Sequence, residues 1–125
     1  MTEQAANRLV WAEIPVTDMA KGRAFYAAVL KGDLIENSDG PNPVAFLPYD
    51  GGDAASGHLY PGKPAPRGTG PTVHLNVADD LEATMERIRS NGGEVVSEVV
   101  SIPAGDFFYA LDPDGNSIGF FKMKS

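Results

Sequence analysis

Cysteine is missing from this chain of 125 residues. Its absence removes disulfides, thiolate metal ligands and a cysteine nucleophile from consideration. No stretch approaches the ~18 consecutive apolar residues that a membrane-spanning helix needs, so no membrane role is expected. Met1-Thr2-Glu3-Gln4 has neither a basic region nor an apolar core, and nothing in it reads as an export signal. A cytoplasmic location is therefore expected by default. Positive charge is the scarcer sign: 10 Lys and Arg stand against 17 Asp and Glu, a formal net charge of −7. Such a surface repels phosphate backbones, which argues against nucleic acid as a partner, and it steers cationic ligands inward. No Gly-x-Ser-x-Gly elbow is present, and no glycine-rich loop leads from a strand into a helix as a phosphate cradle must.

The chain does contain a repeat. Trp11-Ala12-Glu13-Ile14-Pro15-Val16-Thr17-Asp18 is echoed by Thr72-Val73-His74-Leu75-Asn76-Val77-Ala78-Asp79, an offset of 61 residues that holds without a gap to Gly32 and Gly93. In both copies apolar residues alternate with larger or polar ones, the mark of a strand with one buried face. Val10, Ala12, Ile14 and Val16 are expected on the buried face, matched by Val73, Leu75 and Val77. Trp11, Glu13 and Pro15 take the other, matched by Thr72, His74 and Asn76. Asp18 and Asp79 read as helix N-caps, because a short carboxylate accepts from the free N–H groups of the first turn. Each helix should stop at its glycine, Gly32 or Gly93.

Further strands are expected near Asp33–Asn37, Val44–Pro48, Ser56–Tyr60, Glu94–Val99, Phe107–Leu111 and Ser117–Met123. The turn signals Asp50-Gly51-Gly52-Asp53 and Asp112-Pro113-Asp114-Gly115-Asn116 separate the later pairs. The second helix carries Leu81, Met85 and Ile88 on one stripe. Pro61–Pro71 lacks apolar periodicity and reads as a semi-rigid linker. The expectation is an α+β fold of two tandem βαβββ modules, about residues 9–60 and 72–123, forming a cup-shaped mixed sheet within one domain over residues 1–125. The helices cover one face, and the other face becomes the inside of a trough.

Four features together resemble the vicinal oxygen chelate superfamily, which includes glyoxalase I, extradiol dioxygenases and bleomycin resistance proteins. They are Glu13-Ile14-Pro15-Val16-Thr17-Asp18, the Phe25-Tyr26 pair, Gly92-Gly93, and the run from Asp112 through Asn116 to Ser117-Ile118-Gly119. The likeness covers about residues 8 to 123 and is similar to the small glyoxalase-like branch with an EIPVTD-type first strand. It implies metal-ligand positions at Trp11, His58, Thr72 and Gly119, of which only His58 bears a ligating side chain. The ordinary metal is therefore not expected, and no cofactor is implied by the remaining residues. An alternative is a relocated divalent site on Glu13, His58 and His74, two histidines and a carboxylate, as in many iron centres. That would make the chain a lyase, isomerase or dioxygenase. The first reading is a protein that binds a small organic molecule in the trough, through Trp11, Glu13, His58, Tyr60, Thr72, His74, Gly119 and Phe121. Catalytic residues and ligand identity stay open, as does the side on which Phe107, Phe108 and Tyr109 lie. Exposed sheet edges and an open trough also predict a homodimer.

Overall fold

The computed structural model describes residues 8–49 and 55–124. The expected Asp50–Asp53 turn lies outside the described residues. In chain order the elements are β1 (Trp11–Val16), α1 (Met19–Leu30), β2 (Ile35–Asn37), β3 (Val44–Phe46) and β4 (Ser56–Pro61). They continue with β5 (Val73–Asn76), α2 (Leu81–Ser90), β6 (Glu94–Val95), β7 (Val100–Ile102), β8 (Gly105–Leu111) and β9 (Ser117–Met123). The first sheet runs β1-β4-β3-β2 and the second β5-β9-β8-β6, with β7 also on β8. Hydrogen bonding does not pass from β1 to β5, so the cup is made of two sheets rather than one.

The duplication holds in the pairing. β1 lies parallel to β4 with Glu13 opposite His58, and β5 lies parallel to β9 with His74 opposite Gly119. Both pairs differ by the same 61 positions, so inward and outward faces agree between the modules. Ile14, Ala45 and Leu59 share the helix side of the first sheet, and Phe108, Ala110, Ile118 and Phe120 that of the second. Phe108 and Phe120 stack with ring centroids 5.5 Å apart. Burying each ring contributes about 2–3 kcal/mol. Helix α1 adds Phe25, Tyr26 and Val29, and α2 adds Leu81, Met85 and Ile88, all at helical spacing. These side chains form one core that draws on both modules.

Several local expectations need correction. Val10 precedes β1 and is 70% exposed instead of buried. Asp18 does cap α1, accepting from Lys21 N, but α2 is capped by Asp80, which accepts from Ala83 N. Asp79 is freed to accept from both terminal guanidinium nitrogens of Arg87, at 2.8 and 3.0 Å. That contact holds its carboxyl below the ordinary carboxylate range. Arg87 also donates to Val29 O at the end of α1, so one side chain fastens the two helices together. The left-handed residue ending α1 is Lys31 (φ 57°), one before the expected Gly32, while α2 is followed by Gly92 (φ 94°). Of the expected Glu94–Val99 strand only Glu94–Val95 forms, and the edge beside β8 continues at Val100–Ile102, past the expected end. Tyr109 N donates to the Ser97 hydroxyl in place of a backbone carbonyl, and the ladder resumes only at Val100.

The modules are joined at Asp112, which is 1% exposed. Its carboxyl oxygens accept from Tyr26 Oη (2.6 Å), the backbone N–H groups of Asp114 and Asn116, and Asn116 Nδ2 (2.9 Å). Burial raises the Tyr26 hydroxyl pKa well above its usual value, and the Asp112 carboxylate adds to the effect. A raised pKa in the folded chain means that this stability is complete below the ordinary tyrosine value, about pH 10, and is lost as pH rises from there through the raised value. Tyr26→Phe should cost about 1.5–3 kcal/mol at pH 7 by denaturant unfolding. The variant should also lack the part of the alkaline loss of stability above about pH 10 that this tyrosine causes.

Candidate functional site

Residues facing away from the helices build two aromatic groups, one on each sheet. On the first, Trp11 and Pro15 of β1, His58 and Tyr60 of β4 and Phe46 of β3 share the open face, because they alternate with or pair beside the core positions. Trp11 sits edge-on to Phe46 (6.0 Å between centroids) and to Tyr49 (5.5 Å), and Tyr60 lies edge-on to His58 at 6.3 Å. The indole Nε1 donates to His58 Nδ1 at 2.9 Å. Glu13 stands beside the same ring, its carboxylate oxygen 3.7 Å from His58 Nε2, with 65% of its side chain exposed.

That hydrogen bond fixes the chemistry of His58. An indole N–H can only donate, so Nδ1 must accept and its lone pair is occupied. The neutral ring then carries its proton on Nε2, facing Glu13. Neither nitrogen keeps a free lone pair for a metal.

On the second sheet His74 lies over Gly119. A methyl group at position 119 would collide with the His74 ring. Phe107, Tyr109 and Phe121 surround this imidazole at 5.3, 5.7 and 6.2 Å between centroids, and Phe107 stacks on Phe121 at 5.6 Å. Thr72 precedes β5, and its hydroxyl shares a 2.6 Å hydrogen bond with Ser117. The Phe107-Phe108-Tyr109 run is thereby resolved: Phe108 enters the core, and its neighbours join the open face. Phe46 and Tyr49 were not anticipated. Tyr109 was legible in principle, since the hairpin turn at 112–116 fixes Leu111 opposite Ser117 and hence Tyr109 opposite Gly119.

The predicted site residues are therefore placed in two groups, with no aromatic contact between them. Trp11, Glu13, His58 and Tyr60 cluster on the first sheet, and His74, Gly119 and Phe121 on the second. Thr72 is turned to Ser117. Among the described residues no three His, Asp or Glu side chains stand close enough to hold a metal ion. The implied positions do not fit the family's usual divalent ion: Trp11 has no lone pair to offer, His58 is engaged, Thr72 is hydrogen-bonded and Gly119 is covered by His74.

Two βαβββ units, each with its first strand parallel to its last and its aromatic face turned from the helices, define a duplicated α+β cup. The Glyoxalase/Bleomycin resistance protein/Dioxygenase superfamily matches residues 8–120, and the chain belongs to it. A lactoylglutathione lyase of Haemophilus influenzae is 34% identical over 119 residues, covering 88% of each chain. Among solved structures, a glyoxalase/bleomycin resistance protein from Albidiferax ferrireducens is similar with a TM-score of 0.70 at 23% identity, covering 93% of this chain and 99% of the other. An antibiotic-binding protein from a Streptomyces species gives 0.63 at 24% identity, covering 98% and 100%.

Gly119→Ala tests the second group. The added methyl must displace the His74 ring, so stability should fall by about 1–3 kcal/mol. The His74 ring-proton resonances should shift in NMR spectra, while those of His58 stay in place.

Proposed function

We propose that this member of the superfamily is a metal-independent binding protein that holds a planar small organic molecule on its aromatic open faces. The observation that carries this reading is the Trp11–His58 hydrogen bond, which spends the one ligating side chain at the family positions on orienting an indole. An indole with a fixed plane, flanked by Phe46 and Tyr49, with Tyr60 beyond the His58 ring, offers apolar area with a few polar groups at its rim, the usual make-up of a small-molecule site. The solved neighbour from Streptomyces is named for antibiotic binding, and a role in binding without chemistry is the reading adopted for this chain.

We further propose a homodimer. Ile35 and Met123, 68% and 66% exposed, lie on the open faces of the two sheets beside the aromatic groups, and exposed apolar area of this kind favours self-association. Sedimentation equilibrium at micromolar concentration should give twice the 13.2 kDa chain mass. A single 13.2 kDa species would remove this part of the proposal.

A second reading is favoured by the 34% identity to the lactoylglutathione lyase: a divalent-metal enzyme using Glu13, His58 and His74. Metal titration separates the two. A site filled at a hundred times its dissociation constant adds about 2.7 kcal/mol, roughly 10 °C in melting temperature for a domain of this size. With Zn²⁺, Ni²⁺, Mn²⁺ or Fe²⁺ the proposed binding protein should move by about 1 °C or less, well under what such occupancy requires. A rise of several degrees that disappears in both Glu13→Ala and His74→Ala would establish the enzyme reading instead.

A further inference from the structure

We infer that the ligand of the open faces is a neutral or cationic molecule bearing a hydrogen-bond donor, and that the site rejects anions; this rests on the binding role proposed above. The argument is the distribution of charge over the two sheets. Pairing register assigns every strand residue to the helix side or to the open side. No lysine or arginine of any described strand falls on the open side. Lys122 of β9 pairs with Asp106 in the row beside the core residues Phe108 and Phe120, so it belongs to the helix side. The formal charges left on the open rows are Glu13 and Glu94.

Those two carboxylates differ. Glu94 lies at the sheet edge and is neutralised by Arg67 at 2.5 Å. Among the described residues Glu13 has no Lys or Arg partner; its carboxylate stands 3.7 Å from the His58 ring and stays well exposed near Trp11. A carboxylate of this kind is acceptor-only, so it rewards a ligand N–H or O–H and repels a ligand carboxylate, sulfonate or phosphate. The net charge of −7 acts in the same direction at longer range. A planar ring stacked on the indole would thus present its donor edge to Glu13. This is the specificity expected for a protonated heteroaromatic amine, and it runs against an acidic conjugate.

A matched pair of probes tests it. 9-Aminoacridine is a cation at pH 8 and acridine-9-carboxylate an anion, on the same ring system. Calorimetry at pH 8, where free imidazole is neutral, and at salt high enough to screen long-range steering isolates the local contribution. The parent protein should bind the amine at least about tenfold tighter than the carboxylate. Glu13→Gln should lower that preference to about threefold or less, and Glu82→Gln, on the exposed start of α2, should leave it unchanged. Circular dichroism confirms that both variants are folded. Equal affinity for the two probes, tighter binding of the carboxylate, or an equal loss of preference in Glu82→Gln overturns the inference while leaving the binding role intact. Failure of both probes to bind at millimolar concentration overturns the binding role and the inference with it.

Discussion

The buried hydrogen bond between Tyr26 and Asp112 is the constraint on which the rest of this architecture depends. It joins the helix of the first module to the hairpin turn of the second across 86 positions of sequence. The same turn reaches further. Asn116 Nδ2 donates to Pro15 O at the end of β1, and the Thr17 hydroxyl donates to Asp114. One acidic turn thereby fixes where β1 lies relative to β8 and β9, and so how the two aromatic faces are set relative to each other. A buried carboxylate is tolerable only when its acceptor sites are filled, and here four donors fill them. Arg87 repeats the device between the helices, tying Asp79 to the carbonyl of Val29.

The open faces follow a different rule. On the helix side, apolar residues interlock and polar ones are satisfied. On the open side, aromatic rings meet mostly edge to face, with Phe107 stacked on Phe121. The pseudo-symmetry of the two modules has been used to divide labour. Position 13 is a carboxylate where its counterpart 74 is an imidazole, and position 58 is an imidazole where its counterpart 119 is bare backbone. Each imidazole is therefore held by something the other module lacks: an indole donor for His58, and the open space above a glycine for His74. At the four positions where the family resemblance implies metal ligands, Trp11 and His58 hydrogen-bond to each other, Thr72 to Ser117, and Gly119 is covered by His74.

Most of the fold was legible because it rests on local periodicity written twice. Alternation in 11–16 and 73–77, the helical stripes, and the turn at 112–116 each report a short-range preference, and the repeat checks one against the other. Boundaries failed where a tertiary partner outbid the local signal. Asp79 reads as a cap but is claimed by Arg87, so Asp80 replaces it. The strand over 94–99 is apolar enough to continue, yet the Ser97 hydroxyl takes the amide of Tyr109 and interrupts it.

The sequence by itself determined the duplicated α+β plan and the two faces of each sheet, because both follow from residue identity at fixed spacing. Only the tertiary structure decided what the open-face residues do. The Trp11–His58 bond links residues 47 positions apart, and the direction of the indole N–H sets the tautomer of the imidazole. No local pattern encodes that direction. It emerges from the parallel register of β1 and β4, which brings the two side chains onto one face at hydrogen-bonding distance.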